Sequence, residues 1–344
     1  MGTQKLNFNS IDLFSGCGGL TQGMHQAGFT TKVAVEIVAD AVLAFKLNHT
    51  DTEVINKDIR LITAEEIREK LNGEPLHLLA GCPPCQGFSS IRRRNKKKSV
   101  RDTRNSLVTE YLRLVKELHP LTIMMENVPG LRDYYLFKDV VKELEALGYN
   151  PKVEVVNVRD YGVPQNRKRL VMIGSLLGDI SLAEPTGQKV TVRDMIGKLE
   201  SVTSTIDPVH KVVASHNPLV RERIRLTPKN GGSLKDLPAK YQLKCHEGEN
   251  VGFNDVYGRL RWDDYSTTIT GGCLNPSKGR FLHPEEDRCI TAREAALLQS
   301  FPPDYKFPVN ISKTQIALLI GNALPPKFSY YQSMNIRDHL TAHL

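Results

Sequence analysis

The feature that most constrains this chain is a repeated switch between short apolar runs and helix-period patterns, sustained up to about Gly174. Residues 9–14 read as a strand, and Gly16-Cys17-Gly18-Gly19 follows at its end. A short helix through Leu20 and Met24 stops near Gly28. Residues 31–36 read as a second strand, and Asp40 can cap a helix carrying Val42, Leu43 and Phe45. Val54 and Ile55 begin a third strand ending near Asp58, and residues 76–80 form a fourth with a Gly/Pro-rich turn after it. Residues 105–118 carry one apolar helix face, which Pro120 stops. Residues 122–125 read as a strand ending at Glu126, and residues 137–147 as a helix stopped by Gly148. Residues 153–158 and 169–174 read as late strands. This alternation predicts an α/β sheet covered by helices on both faces. In such sheets ligands bind at the carboxyl ends of the strands, where the polar and glycine-rich motifs fall here.

The texture changes after Leu177. Residues 180–280 are rich in Gly, Pro and charge with little helical period, which predicts a smaller domain of irregular strands and loops. Helical signal returns over residues 291–299 and 313–320 and again after Pro326. The expected division is 1–179 for a catalytic and cofactor-binding domain, 180–280 for a variable domain, and 281–344 for a segment returning to the first.

At 344 residues the chain is long enough to bury a sizeable core. Its 40% hydrophobic and 24% charged residues are ordinary for a globular protein. The net charge of +8 favours a polyanionic partner, though charge argues about association rather than fold. The opening residues have no signal-like apolar run, and no stretch approaches the length of a membrane span. The six cysteines (Cys17, Cys82, Cys85, Cys245, Cys273 and Cys289) are too sparse for a disulfide scaffold and lack paired zinc spacing. A cytoplasmic protein with reduced thiols and no metal is expected.

Asp12-Leu13-Phe14-Ser15-Gly16-Cys17-Gly18-Gly19 sits where a strand becomes a helix. Its glycines let the backbone approach a cofactor closely. The phosphate-loop lysine is missing, and the spacing is not that of a dinucleotide fingerprint. Glu36 closes the next strand and could accept from a ribose, and Asp58 could receive a polar group of the same ligand. A tight turn with two ordinary strand-end acids is the competing reading. Cys82-Pro83-Pro84-Cys85 fits either a thiol-exchange pair or one nucleophile on a proline-stiffened loop. The run after it carries Arg92, Arg93, Arg94, Lys96, Lys97, Lys98, Arg101 and Arg104. Such a run suits phosphates, or is simply a solvated basic loop. Glu126-Asn127-Val128 ends a strand, and its carboxyl can serve a ring nitrogen. Gln165-x-Arg167-x-Arg169 places alternate side chains on one side if extended, and arginine forks suit a base oxygen or phosphate.

Taken together and in order, these segments resemble the DNA cytosine-5 methyltransferase family, of bacterial restriction-modification or orphan type. Residues 12–19 look like its first cofactor motif, Pro84-Cys85-Gln86 its nucleophile motif and Glu126-Asn127-Val128 its glutamate motif. Residues 165–169 resemble its paired-arginine motif. Residues 288–301 resemble the segment organising target recognition, and Gly321-Asn322-Ala323-Leu324-Pro325 the last motif. Thr268-Ile269-Thr270 resembles the family's Thr-x-Thr feature.

The resemblance implies a Rossmann-like S-adenosylmethionine-dependent methyltransferase fold with a smaller irregular, strand-rich target-recognition domain. It implies S-adenosyl-L-methionine held by Phe14, Gly16, Gly18, Gly19, Glu36, Asp58, Ile59, Pro84, Leu107 and Asn322. It makes Cys85 the nucleophile on C6 of a flipped-out cytosine in duplex DNA, and Glu126 the partner of N3. Arg167 is expected to hold O2 and the cysteine loop, with Arg169 a phosphate or loop contact. DNA contacts are expected from Gln86, Ser89, Arg92, Arg93, Lys96, Lys97, Arg104, Arg259, Arg261, Thr268 and Thr270, and at lower weight from His246 and Asn254. A monomer near the nucleoid is expected, with a cognate restriction endonuclease acting separately. Two alternatives stay open: a transfer-RNA methyltransferase of the same family, and a catalytically inactive DNA-binding regulator.

Overall fold

The computed structural model describes residues 7–84, 106–243 and 255–344. The chain divides into two compact units. The first comprises residues 1–161, 168–186 and 324–344, and the second residues 162–167 and 187–323. The boundary therefore differs from the sequence division. Only the last 21 residues of the expected returning segment join the first unit, while the helices before them belong to the second.

The first unit is built on a seven-stranded sheet of order β3-β2-β1-β4-β5-β7-β6. Its strands are β1 (Phe8–Leu13), β2 (Phe29–Val35), β3 (Glu53–Ile55), β4 (Leu78–Gly81), β5 (Thr122–Asn127), β6 (Lys152–Asn157) and β7 (Lys168–Ser175). β1 to β5 run parallel, and β7 lies antiparallel between β5 and β6. β1, β4 and β5 are buried along their whole length, as strands covered on both faces must be. Edge strand β6 exposes Glu154 and Val155.

Helices α1 (Gly19–Gln26), α2 (Ala39–Lys46), α3 (Ala64–Leu71), α4 (Leu107–Leu118) and α5 (Tyr135–Ala146) connect these strands. Local chemistry ends them. Asn72 and His119 take positive φ as C-caps, and Gly28 and Gly148 take it just beyond α1 and α5. Helix α3 was not anticipated, because only Ala64, Ile67 and Leu71 are buried on it. Its start is nonetheless signalled by Thr63, whose hydroxyl accepts from the Glu66 amide. The parallel order places the ends of β1, β2, β4 and β5 on one edge of the sheet.

The second unit carries α6 (Val192–Ile196), α7 (Pro218–Leu226), α8 (Ala292–Leu298) and α9 (Lys313–Asn322), and the first unit ends with α10 (Pro326–His343). Capping boxes at Thr191–Asp194, Thr291–Glu294 and Ser312–Gln315 start three of these. The expected strand-rich texture is corrected here. Among the described residues the second unit has only isolated bridges, Gln165 to Ser266, Arg259 to Leu282 and Leu282 to Cys289. Side chains, not ladders, satisfy much of its backbone. Among the described residues, no helix is long and apolar enough to cross a membrane.

Candidate active site

The glycine loop leaves β1 under strain. Phe14, Gly16 and Gly18 take φ of 60°, 55° and 92°, and a Cβ added at Gly16 would meet nothing within 4 Å. The loop thus presents open backbone at the sheet edge, and its one strained non-glycine residue is Phe14. Gly18 is the left-handed N-cap of α1, and Gly19 is its first residue.

Glu36 braces this loop. One carboxylate oxygen accepts from the Gly16 amide at 2.8 Å and the other from the Val38 amide at 2.7 Å. Burial pushes its pKa up, and those amides pull it back. The next residue, Ile37, is 60% exposed, an apolar surface beside a carboxylate that sequence reasoning had not singled out. Asp58 caps a short turn through the Arg60 amide and pairs with the Arg60 guanidinium, which holds its carboxyl below the usual range. Ile59 and Leu107 are buried core residues, so each can offer a cofactor little side-chain surface.

Two further groups lie beneath the loop. Asp12 is fully buried, with one oxygen accepting from the Thr21 hydroxyl at 2.6 Å and the other, Oδ1, without a hydrogen-bond partner. Burial pushes its pKa up to about 7. His49 is pushed down to about 3 by burial and by His25, so it is neutral, and it bonds the Gly18 backbone. A strained open loop, an exposed apolar residue and a braced carboxylate fit a nucleoside-bearing cofactor.

The second part of the site gathers at the ends of β4 and β5. Glu126 is 8% exposed and accepts from Nε of Arg169 at 2.6 Å. Burial lowers the Arg169 pKa, and Glu126 and Cys82 pull it back up. Cys82 stands beside this pair with its thiol pKa pushed well up, by burial first and then by the charges of Glu126 and Asp12. It is therefore a neutral thiol, unsuited to exchange chemistry. Asn127 donates to the Pro83 carbonyl at 2.7 Å, tying the exit of β5 to the proline segment before Cys85. Pro84 ends that described segment and is partly buried. Cys85, Gln86, Ser89, Arg92, Arg93, Lys96, Lys97, Arg104, His246 and Asn254 lie outside the described residues.

The paired-arginine segment does not send its side chains to one place. Arg169 turns to Glu126, whereas Arg167 is buried and donates to the carbonyls of Ile269, Gly321 and Ala323. Among the described residues the terminal nitrogens of Arg167 serve these carbonyls, because the segment leaves its strand between the two arginines and only residues 168–175 pair in the sheet. Arg259 is corrected. It is fully buried, its fork bonds four carbonyls and Asp287, and no surface remains for DNA. Arg261 is exposed, with Asp264 3.9 Å away. The Thr268 hydroxyl donates to the Asn166 carbonyl, and that of Thr270 accepts from the Gly272 amide. Asn322 closes α9 in the second unit. Among the described residues, no group of three or more His, Cys, Asp or Glu could hold a metal.

The parallel sheet with one antiparallel insertion, and its braced glycine loop, define the S-adenosylmethionine-dependent methyltransferase fold. Within that class the chain belongs to the C-5 cytosine-specific DNA methylase family, whose model matches residues 8–336. It is 37% identical to the Type II methylase M.HgiDII of Herpetosiphon aurantiacus, over 92% of this chain and 91% of that one. It is 32% identical to the Type II methyltransferase M1.HphI of Haemophilus parahaemolyticus, over 93% and 84%. A solved structure described as a DNA modification methyltransferase encoded within an E. coli prophage aligns with a TM-score of 0.76 at 27% identity, covering 97% of this chain and 99% of that one. The S. pombe Dnmt2 methyltransferase, at 18% identity and a TM-score of 0.69 over 97% and 99%, shares the fold. The chain is a DNA (cytosine-5-)-methyltransferase.

Proposed function

We propose that this enzyme methylates a specific short site in duplex DNA by covalent catalysis on a flipped-out cytosine. The observation that carries the reading is the buried Glu126–Arg169 pair, beside a loop exit that leads within a few residues to Cys85. A stacked cytosine hides C6 and its pairing edge, so the base must leave the duplex. Glu126, carrying a proton taken from solvent, delivers it to N3 through one oxygen and accepts from the amino group through the other, which draws electron density from the ring. Arg169 fixes the carboxyl group in that orientation. Cys85 adds to C6, and the negative charge that develops in the ring is stabilised by the Glu126 contact at N3. Bound S-adenosyl-L-methionine supplies the electrophilic methyl group that C5 takes. Loss of the C5 proton then releases Cys85 as a thiolate and leaves 5-methylcytosine. Phe14, Gly16, Gly18, Gly19, Glu36 and Asp58 would hold the cofactor, with Ile37 added as an apolar contact.

Sequence specificity is assigned to the second unit, with Arg261, Thr268 and Thr270 as contacts there and the basic run from Arg92 to Arg104 on phosphates. The enzyme would act as a cytoplasmic monomer near the nucleoid, with a cognate restriction endonuclease acting separately.

The test is bisulfite sequencing of plasmid and randomised duplex DNA after reaction, beside the same assay on transfer RNA. One protected cytosine context in duplex DNA is expected. Transfer to RNA alone would sink the reading. Duplex DNA containing 5-fluorocytosine should trap a denaturation-resistant adduct with the wild type and none with Cys85→Ser, and mapping of that adduct to Cys82 would overturn the nucleophile.

A further inference from the structure

Asp58, which the proposed function places on the cofactor, stands on a short piece of chain with little of its own to hold it. The strand before it, β3, has three residues, and the turn it caps, Ile59–Leu61, has three more. Two backbone bonds close this turn, from the Leu61 amide to the Asp58 carbonyl at 2.9 Å and from the Ile62 amide to the Ile59 carbonyl at 3.2 Å. A 3-10 turn of this length is marginal by itself. Ile59 and Ile62 are buried in the core, while Leu61 between them is 74% exposed.

One side chain from elsewhere in the first unit spans the turn. Nη2 of Arg113, on α4, donates to the carbonyls of Ile59 and Ile62, both at 3.0 Å. Two carboxylates of its own helix aim the guanidinium. Its Nε pairs with Glu110 at 2.9 Å and its Nη1 with Glu117 at 3.1 Å, one turn to either side. Every nitrogen of the fork is thus engaged, which fixes its orientation and gathers both carbonyls on one nitrogen. The Asp58 carboxylate accepts from the Arg60 amide inside the same turn, so any shift of the turn carries that carboxylate with it.

We infer that Arg113 is a positioning residue for the cofactor: by holding the carbonyls of Ile59 and Ile62 it sets, before the cofactor arrives, where the Asp58 carboxylate stands. This rests on the reading above that Asp58 meets the cofactor. A role confined to stability would lower the melting temperature and leave cofactor affinity intact. A positioning role weakens cofactor binding and spares DNA binding.

The test uses the full-length enzyme and calorimetric titration with S-adenosyl-L-homocysteine, the demethylated cofactor, whose binding requires no turnover. Arg113→Met keeps a long side chain and removes every donor. It should weaken binding about tenfold, as expected for losing hydrogen bonds from a charged donor. The KM for S-adenosyl-L-methionine should rise by a similar factor, with kcat and the KM for DNA within about threefold. Glu117→Gln, which weakens one ion pair and leaves both carbonyl bonds, should bind within about twofold of the wild type. Unchanged affinity in a folded Arg113→Met protein would overturn the inference, as would a loss in Glu117→Gln as large as that in Arg113→Met. Hydrogen exchange on the cofactor-free wild type needs no variant to fold. The Ile62 amide should exchange as slowly as amides within α4, and exchange as fast as an unprotected chain would also overturn the inference. Asp58→Ala separates the two readings. If it binds S-adenosyl-L-homocysteine as the wild type does, the placement of Asp58 on the cofactor fails and the inference falls with it. Weak binding by Asp58→Ala beside normal binding by Arg113→Met refutes the inference alone.

Discussion

The two units solve one problem in different ways. Each must bury a backbone full of polar groups, and each buried amide and carbonyl needs a partner. The first unit satisfies its own through seven paired strands and the helices between them. The second has no strand ladder among the described residues, and buried side chains take over the work. Arg259 bonds the carbonyls of Thr227, His283, Glu286 and Ile224, Arg280 those of Gly231, Gly232 and Arg259, and Arg167 those of three further residues. A ladder tolerates most substitutions because its bonds belong to the main chain. A side-chain hub concentrates several bonds in one residue, so its loss is felt at once by several segments.

The largest effect is expected at Arg259. Arg259→Met should cost about 3–5 kcal/mol, because it strands buried carbonyls and leaves Asp287 without its fork. Chemical denaturation followed by the fluorescence of Trp262, which lies in the second unit, would measure it. A loss under about 1 kcal/mol would mean that water replaces the guanidinium and that the contrast between the units is overstated.

Asp12 offers a pH-dependent comparison inside the first unit. It ordinarily titrates near 3.8 and here near 7, so between those values the folded chain keeps a proton that the unfolded chain releases. Its stabilising contribution is full below about 4 and is lost as pH rises through 7. Asp12→Asn stays neutral throughout. The stability difference should therefore swing toward the variant by roughly 2 kcal/mol or more between pH 4.5 and 8, read from paired melts. A flat difference would show that Asp12 is ionised in the fold, its Oδ1 then satisfied by a bound water or ligand group.

The smallest effect is expected at Tyr111, the first unit's nearest equivalent to a carbonyl hub. Its hydroxyl lies 3.1 Å from both the Leu79 and Met124 carbonyls, in strands the sheet already pairs. Tyr111→Phe should cost about 1 kcal/mol in urea denaturation. A loss above about 3 kcal/mol would make the first unit as hub-dependent as the second.

Much of the first unit was legible because periodicity writes a sheet into the sequence. The apolar run of β5 over residues 123–125, ending in Glu126-Asn127, marks a buried strand with a polar carboxyl end. Helix α3 escaped notice because its three buried residues make too thin a stripe. The second unit was less legible, since a glycine- and proline-rich segment with no period can be loop, bridge or short helix. Arg259 shows the limit most plainly. An arginine in a basic, irregular segment reads as a DNA contact, yet a guanidinium can equally serve carbonyls that no strand pairs, and only burial distinguishes the two.

By itself the sequence determined the order of strands and helices along the chain and the strained glycine loop. Those follow from local rules, the steric limits on φ and the spacing of apolar side chains, which act over a few residues. Tertiary structure alone decided what each polar side chain does. Arg167 and Arg169 stand two residues apart in one motif, yet one is spent on carbonyls and the other holds the glutamate. The partners of Arg167 lie up to 156 residues away along the chain, and no local pattern records which of them the fold will bring within reach.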